Sequence, residues 1–490
     1  MAARWSVTSG VWNATSTWAD AEDGTAGASV PAGSDNVIID ESHTVTLDRN
    51  EECQYLEQKG GSGDESTLAL ASYTLTINSR NAGNSRVIYI PDSYSNIANS
   101  TGTIKLTGSA DATHKLVGLD NWADELQNLT IHTSGSNPTY RQESALTVNG
   151  DLTITAGGLT TNTANHALTV AGRINIAGGT LTCNSSAVSC AGGVTVTGTL
   201  NAPDGSGSLT ISGERSNRVI DVTGTFNNND GTITVTYAGQ SQIRWTSSSN
   251  PHSLVINHSS ADIRLAGNMD TAGSREFEGN VTITAGILST LDVDGSQNHN
   301  LTVEEDVNIA SGGTLTGNAS AISMRSFTNS GTYNATSGTT TITNETSDYA
   351  WNNVETDGTG FVHNNGTVTI TTDAITKIKE DKFYNLTINS DTASREITLE
   401  DADGNNAFKV YGDLTVTSGR LMSATTSDSI DVYGNTHIGA NGTCWHDADQ
   451  ATNKITHHGL VTNLGIYKVN DETTVKMNGG IRQLNTLTMD

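Results

Sequence analysis

The sequence predicts an all-β, elongated parallel β-helix, a β-solenoid, with a Trp-rich capping module at its N-terminus. Three observations lead there. Hydrophobic residues make up 34%, aromatics 5% and charged residues 16%, against roughly 45–50% apolar residues in ordinary soluble domains. The apolar residues are Val, Ile and Leu alternating with Thr, which suits a pleated, half-buried surface. Short Gly-punctuated phrases recur at a near-constant interval, as in stacked repeats. Disorder is the competing reading of low hydrophobicity, but disordered chains are rich in Pro, Lys and Glu, and this chain has 5 Pro and 25 Lys plus Arg.

The opening residues 1–50 differ from the rest. Trp5, Trp12 and Trp18 are three of the seven tryptophans. They are followed by Pro31-Ala-Gly-Ser-Asp-Asn-Val-Ile-Ile-Asp40 and His43-Thr-Val-Thr-Leu47. An open solenoid end exposes strand edges and core and needs a cover. We expect these tryptophans to form it, ligand binding being their other reading. Residues 51–125 read as a first, irregular solenoid segment.

From residue 126 the repeats are explicit. Leu146-Thr-Val-Asn-Gly150-Asp-Leu-Thr-Ile recurs as Leu168-Thr-Val-Ala-Gly172-Arg-Ile-Asn-Ile, and a third version begins at Gly193. The step between these glycines is about 22 residues, a length one solenoid coil commonly takes. Each phrase alternates apolar residues and then places Gly where the chain turns.

A longer recurrence sets Gly-(Asp/Asn)-(Leu/Val)-Thr-(Ile/Val)-Thr at Gly150, Gly279 and Gly412, again at a near-constant step. Strands of the type Asn-Leu-Thr-Ile begin at Asn128, Ser253, Asn385 and Thr486, and Gly-Thr-aromatic phrases stand at Gly224 and Gly331. These define supermodules at 126–251, 252–382 and 383–483. A further module starts at 484–490, so we expect the chain to continue beyond Asp490, the last strand acting as a cap being the alternative. Stacked at about 4.8 Å per strand, residues 126–490 have room for roughly 17 coils of about 22 residues in a rod on the order of 80 Å. Outward Thr and Asn would bond along the axis.

Charge narrows the partners. With 52 Asp plus Glu the formal net charge is −27, which repels nucleic-acid phosphates and anionic membranes. No run of about 18 apolar residues marks a membrane span. Cys53, Cys183, Cys190 and Cys444 form no CxxC pair, so a disulfide framework is not expected. The N-terminus lacks a charged-then-apolar leader.

The N-terminal pattern Trp-x-Thr-x-Gly-x-Trp, with Thr17-Trp18, Pro-x-x-x-Asp-Asn-Val and His-Thr-Val-Thr-Leu, resembles two groups of proteins, and so do the downstream phrases. One comprises large β-solenoid surface proteins of bacteria, the other structural and tail-fibre-like proteins of tailed bacteriophages, particularly those of marine bacteria. The absent leader favours the second, since virion proteins assemble in the host cytoplasm. The resemblance implies a virion appendage, a tail fibre or its shaft, attaching to a host-surface glycan or protein. It also implies contact with other virion proteins and self-association, often as a homotrimer. A bacterial cell-surface or matrix adhesin outside the cell is the first alternative, and a polysaccharide-depolymerising tailspike the second.

Candidate chemistry is sparse, and no catalytic residue or cofactor is expected. Among 52 acidic residues some carboxylate pairs will reach glycosidase spacing by accident, and none is marked by flanking aromatics. Asp292, Asp294 and Asn298, and likewise Asp401, Asp403 and Asn405, resemble the opening of a calcium loop without its closing Glu. A plain Asx turn is the competing reading. Cys444, His446, Asp447, His457 and His458 could gather a soft metal, but their spacing fits no standard zinc pattern.

Overall fold

The computed structural model describes residues 2–79, 85–91, 95–98, 101–108, 113–119, 126–133, 139–245, 250–266, 275–343, 345, 348–354, 360–379, 381–400, 408–423, 430–446, 454–469, 474–483 and 487–489. The chain is a parallel β-solenoid built as two units. The first unit contains Met1–Tyr237 and Ile243–Pro251, the second Ala238–Gln242 and His252–Asp490. Thr15–Thr17 forms a 3₁₀ turn, and among the described residues no helix is long and apolar enough to cross a membrane.

In the first unit each coil contributes three short strands to three columns. One column begins with Ala3–Ser6, Asn36–Ile39 and Tyr55–Gln58 and runs to Gly158–Thr160, Thr180–Thr182, Thr199–Asn201 and Thr225–Asn227, all in parallel register. A second stacks Leu146–Val148, Leu168–Val170, Ala187–Cys190 and Ser208–Ile211. A third carries Thr74–Ile77, Thr103–Leu106, Asn128–His132, Leu152–Ala156, Ile174–Ile176, Val194–Val196 and Arg218–Val222.

Period-2 alternation then sorts the side chains. In the third column Ile77, Leu106, Ile131, Ile154, Ile176, Val196 and Val222 stack inward and are buried. Thr76, Lys105, Thr130, Thr153, Asn175 and Thr195 form the outward row. Each buried aliphatic side chain stabilises by about 1.5–3 kcal/mol. No single coil can realise this, because its inward row is covered only when the coils above and below are present.

Polar ladders fix the register. Asn128 Oδ1 accepts from the Asp151 N–H at 3.0 Å, and Asp151 Oδ1 accepts from the Arg173 N–H at 2.9 Å. On another face Asn227 donates to Asn201, which donates to Thr182. The corner glycines are dictated by the same stacking: a Cβ on Gly172 would overlap the carbonyl oxygen of Gly150, the group that accepts the Gly172 N–H at 2.9 Å. The structure corrects one register. Gly192, not Gly193, stands over Gly172, donating to its carbonyl at 2.8 Å, and Val194 pairs with Ile174. Gly193 takes the place that Arg173 holds in the coil below, at φ 82°, a backbone conformation in which an L side chain would be strained.

At the start of this unit Trp18–Ala19 pairs antiparallel with Ala3–Ser6, the only antiparallel ladder among the described strand pairs. It covers the free edge of the first parallel strand. Trp12 and Trp18 are fully buried, edge to face with centroids 5.3 Å apart, and Trp18 Nε1 donates to the Trp12 carbonyl at 2.7 Å. Trp5 is half-buried in the first strand, with the Lys59 ammonium 4.2 Å from its ring centre.

The second unit uses the same three-column plan with longer strands that bend through the corners, such as Ser253–Ala266 and Leu301–Thr316. One column runs from Leu254 through Val281, Val307, Phe327, Trp351 and Ile378 to the Glu396–Glu400 strand, where Leu399 faces Ile378 and Ile397 faces Leu421, and on to Cys444, Tyr467 and Leu487. Another runs from Val303 through Met324, Ile342, Ile370, Ile388 and Val416 to Ile438. The Ser253 strand and the last strand, Leu487–Met489, therefore share a column, while Asn385–Asn389 lies in the next one. Within this unit the long sequence recurrence does not keep to one face.

The interior of this unit is aromatic. Phe327, Tyr333, Trp351, Phe361, Phe383 and Phe408 are buried and in ring contact, with centroids 4.5 Å apart for Phe327 and Trp351 and 5.5 Å for Phe383 and Phe408. Such pairs add about 0.5–1.5 kcal/mol each beyond area burial. All four cysteines are buried free thiols.

Candidate functional site

The corner phrase of the repeats, three residues ending in Gly, is the pattern from which a surface site can be built. In the first unit it reads Val148-Asn149-Gly150, Val170-Ala171-Gly172 and Cys190-Ala191-Gly192. In the second it reads Val410-Tyr411-Gly412, Val432-Tyr433-Gly434 and His457-His458-Gly459. The first residue points inward and is buried, and the glycine lies against a carbonyl of the coil below. The residue between them must therefore point to solvent.

In the second unit this geometry lines up a strip of rings. Tyr411 and Tyr433 are stacked with centroids 5.5 Å apart and planes 17° apart. Tyr433 and His458 are stacked at 4.7 Å and 2°. His363 lies 5.5 Å from both Tyr384 and Tyr411. Tyr411 and Tyr433 remain 40% and 43% exposed, whereas Tyr55, Tyr140, Tyr333 and Tyr467 are buried. Beside the rings Asn385 Oδ1 accepts from Asp413 N–H, Asp413 Oδ1 from Asn435 N–H and Asn435 Oδ1 from Leu460 N–H, at 2.9, 2.7 and 3.1 Å. The backbone under the strip is thus pinned coil to coil. Partial burial holds His363 below the usual imidazole range.

The calcium reading does not fit residues 292–298. Asp292 is buried, and its oxygens accept from the Ser296 N–H at 2.8 Å, the Ser296 hydroxyl at 3.1 Å and the Gln297 N–H at 3.2 Å. Asp294 Oδ1 also takes the Ser296 N–H, at 3.0 Å. Asn298 Oδ1 accepts from Ala319 N–H on the next coil. These carboxylates face donors, as in an Asx turn, and a cation would meet the same N–H groups. The hydroxyl and backbone donors of Ser296 hold the Asp294 carboxyl below its ordinary range. Asp401, Asp403 and Asn405 lie outside the described residues.

The soft-metal set is not brought together. Cys444 lies in the core with Ile438, Tyr467 and Val469, and burial pushes its thiol up to about 12, away from the thiolate a metal needs. His457 is buried with both ring nitrogens engaged, by the Thr436 hydroxyl at 2.7 Å and the Tyr467 hydroxyl at 2.8 Å. Burial pushes it down to about 4. His458 points out into the strip. Asp447 and the side chain of His446 lie outside the described residues. Among the described residues no group of three or more His, Cys, Asp or Glu could hold a metal ion. Two carboxylates do meet on an exposed face, where Glu304 is hydrogen-bonded to Glu276. That bond, then partial desolvation and the charges of Glu276, Glu278 and Glu305, raise the Glu304 carboxyl.

The chain finds no match among protein-family models, curated proteins or solved structures.

Proposed function

We propose that this chain is a structural and adhesive component of a bacteriophage virion appendage, a tail fibre or fibre shaft, that offers a repeated β surface for host attachment. One observation carries the reading. The fold commits its interior to columns of aliphatic and aromatic side chains, and repeats its outward face coil after coil. A molecule built this way acts through its surface, and it is read here as a binding protein rather than an enzyme. The net charge of −27 keeps such an edge-rich β protein soluble and turns its partners away from nucleic acid. The opening Trp-rich phrases, which resemble those of phage fibre proteins, add the location.

Antibody against the chain, applied to purified virions and imaged by negative stain, tests the proposal. Label on the tail or its fibres is the expected result. Virions without label, alongside label on uninfected host cells, would overturn it in favour of a cell-surface adhesin.

A further inference from the structure

The geometry points to the strip formed by His363, Tyr384, Tyr411, Tyr433 and His458 as a binding site for a linear, uncharged polysaccharide lying along the stacking direction. This rests on the attachment role proposed above and deepens it by naming where contact is made and with what chemistry.

The strip is not required by the fold. The same corner phrase is filled by Ala171 and Ala191 in the first unit, with the same glycine-to-carbonyl bonds beneath: Gly192 to Gly172 at 2.8 Å there, Gly434 to Gly412 at 2.9 Å here. An alanine therefore serves the backbone equally well. The second unit instead places a ring at this exposed position on successive coils. Mutual stacking recovers part of the cost, yet Tyr411 and Tyr433 stay 40% and 43% exposed. Their centroids are 5.5 Å apart with planes 17° apart, a spacing wider than close face-to-face contact, so the stack does not bury the rings.

The shape of the strip selects the ligand. It is one ring wide and several coils long, and it repeats at 4.7–5.5 Å. A matching ligand is itself a linear repeat of ring-sized units with apolar C–H faces and hydroxyl edges, which describes a chain of pyranoses. The C–H faces lie on the tyrosine and histidine rings, and the sugar hydroxyls meet the tyrosine hydroxyls and imidazole nitrogens. Charge chooses among such chains. Asp413 is exposed beside Tyr411 on a chain of net charge −27, so anionic polysaccharides are disfavoured over neutral ones. A globular protein partner would need a broad patch of about 800 Å² per side, which a strip one ring wide does not provide.

Affinity electrophoresis of the full chain through gels containing laminarin, dextran or galactomannan, with alginate as the anionic control, tests this. Wild type is expected to be retarded by at least one neutral glycan and not by alginate. The double variant Tyr411→Ala/Tyr433→Ala keeps the corner that Ala171 and Ala191 already tolerate, and it is expected to lose affinity on the order of tenfold or more, as two aromatic contacts would give. A circular-dichroism spectrum matching wild type confirms that it is folded. Equal retardation of variant and wild type, or no retardation of wild type by any of the three neutral glycans, would overturn the proposal. Tyrosine-dependent glycan binding by a chain absent from virions would instead leave the strip standing and remove the virion role.

Discussion

The two units of this chain share one plan and differ in what fills it. In the first, the interior columns are mainly aliphatic and the corner positions before Gly150, Gly172 and Gly192 are Asn or Ala. In the second, Phe327, Trp351, Phe361 and Phe383 crowd the interior, Asp381 and His457 are buried too, and the corners carry Tyr411, Tyr433 and His458. The lesson is that the backbone rule, three parallel columns and a glycine at the corner, is indifferent to ring size both inside and outside. Aromatic content is therefore free to differ between the units at both places.

The largest effect expected from this difference comes from Trp351→Ala. Trp351 touches Phe327, Phe361 and Phe383, and its Nε1 donates to buried Asp381 at 2.9 Å. Truncation leaves a cavity and removes one of the donors to Asp381, costing about 3–5 kcal/mol. Hydrogen exchange should accelerate in residues 327–353 and the neighbouring coils, while strands 146–201 of the first unit remain protected. Equal acceleration in both units would break the comparison.

Next in size is an opposed pair of pH effects confined to the second unit. Burial raises the Asp381 carboxyl to about 7 despite bonds from Lys382 N–H and Trp351. The native state then holds a proton that the unfolded chain releases, so stability falls as pH rises from about 4 to about 7. His457, lowered to about 4, works the other way. The unfolded chain takes up a proton the native state refuses, so stability falls as pH drops from about 6.5 to about 4. Each effect amounts to a few kcal/mol, and over the pH range they share they oppose one another. Denaturant titrations should show a shallow profile for wild type, a loss toward low pH in Asp381→Asn, and a loss toward high pH in His457→Gln. Parallel profiles in the two variants would contradict the assignment.

The smallest effect is expected at the surface. Tyr411→Ala removes the exposed ring contacts with Tyr433 and His363 and should cost about 0.5–1.5 kcal/mol. A loss several times larger would mean that the strip supports the fold and is not an elaboration of it.

Much of this was legible in the residues. Alternation and the glycine phrases place the strands at 146–148, 152–156, 168–170 and 174–176, because inward and outward rows follow from parity once the turn is located. Parity also buries His457, two positions after Ile455, where hydroxyls of Thr436 and Tyr467 engage both of its ring nitrogens. What could not be read is adjacency between coils. Tyr411, Tyr433 and His458 lie on three different coils and meet only when coils of unequal length come into register. Asp381 receives its bond from Trp351 on an earlier coil, so nothing local marks it as buried. The Gly192–Gly193 ambiguity is of the same kind: either glycine satisfies the phrase, and only the bond to Gly172 decides. At Asp292 the local pattern reads as a plain Asx turn or, less readily, as the opening of an ion loop, and the donors of Ser296 and Gln297 supply the bonds of the turn.

Parallel, in-register stacking of the coils is tested most directly by spin labels at Lys105 and Thr195, which are far apart in sequence, read by pulsed dipolar spectroscopy. Both lie outward in one column, linked by Thr130, Thr153 and Asn175, so four strand spacings separate their backbones. Such stacking predicts a narrow distribution centred at about 19 Å between the backbones, widened only by the label arms. A broad distribution, or one centred well beyond that distance, would contradict it.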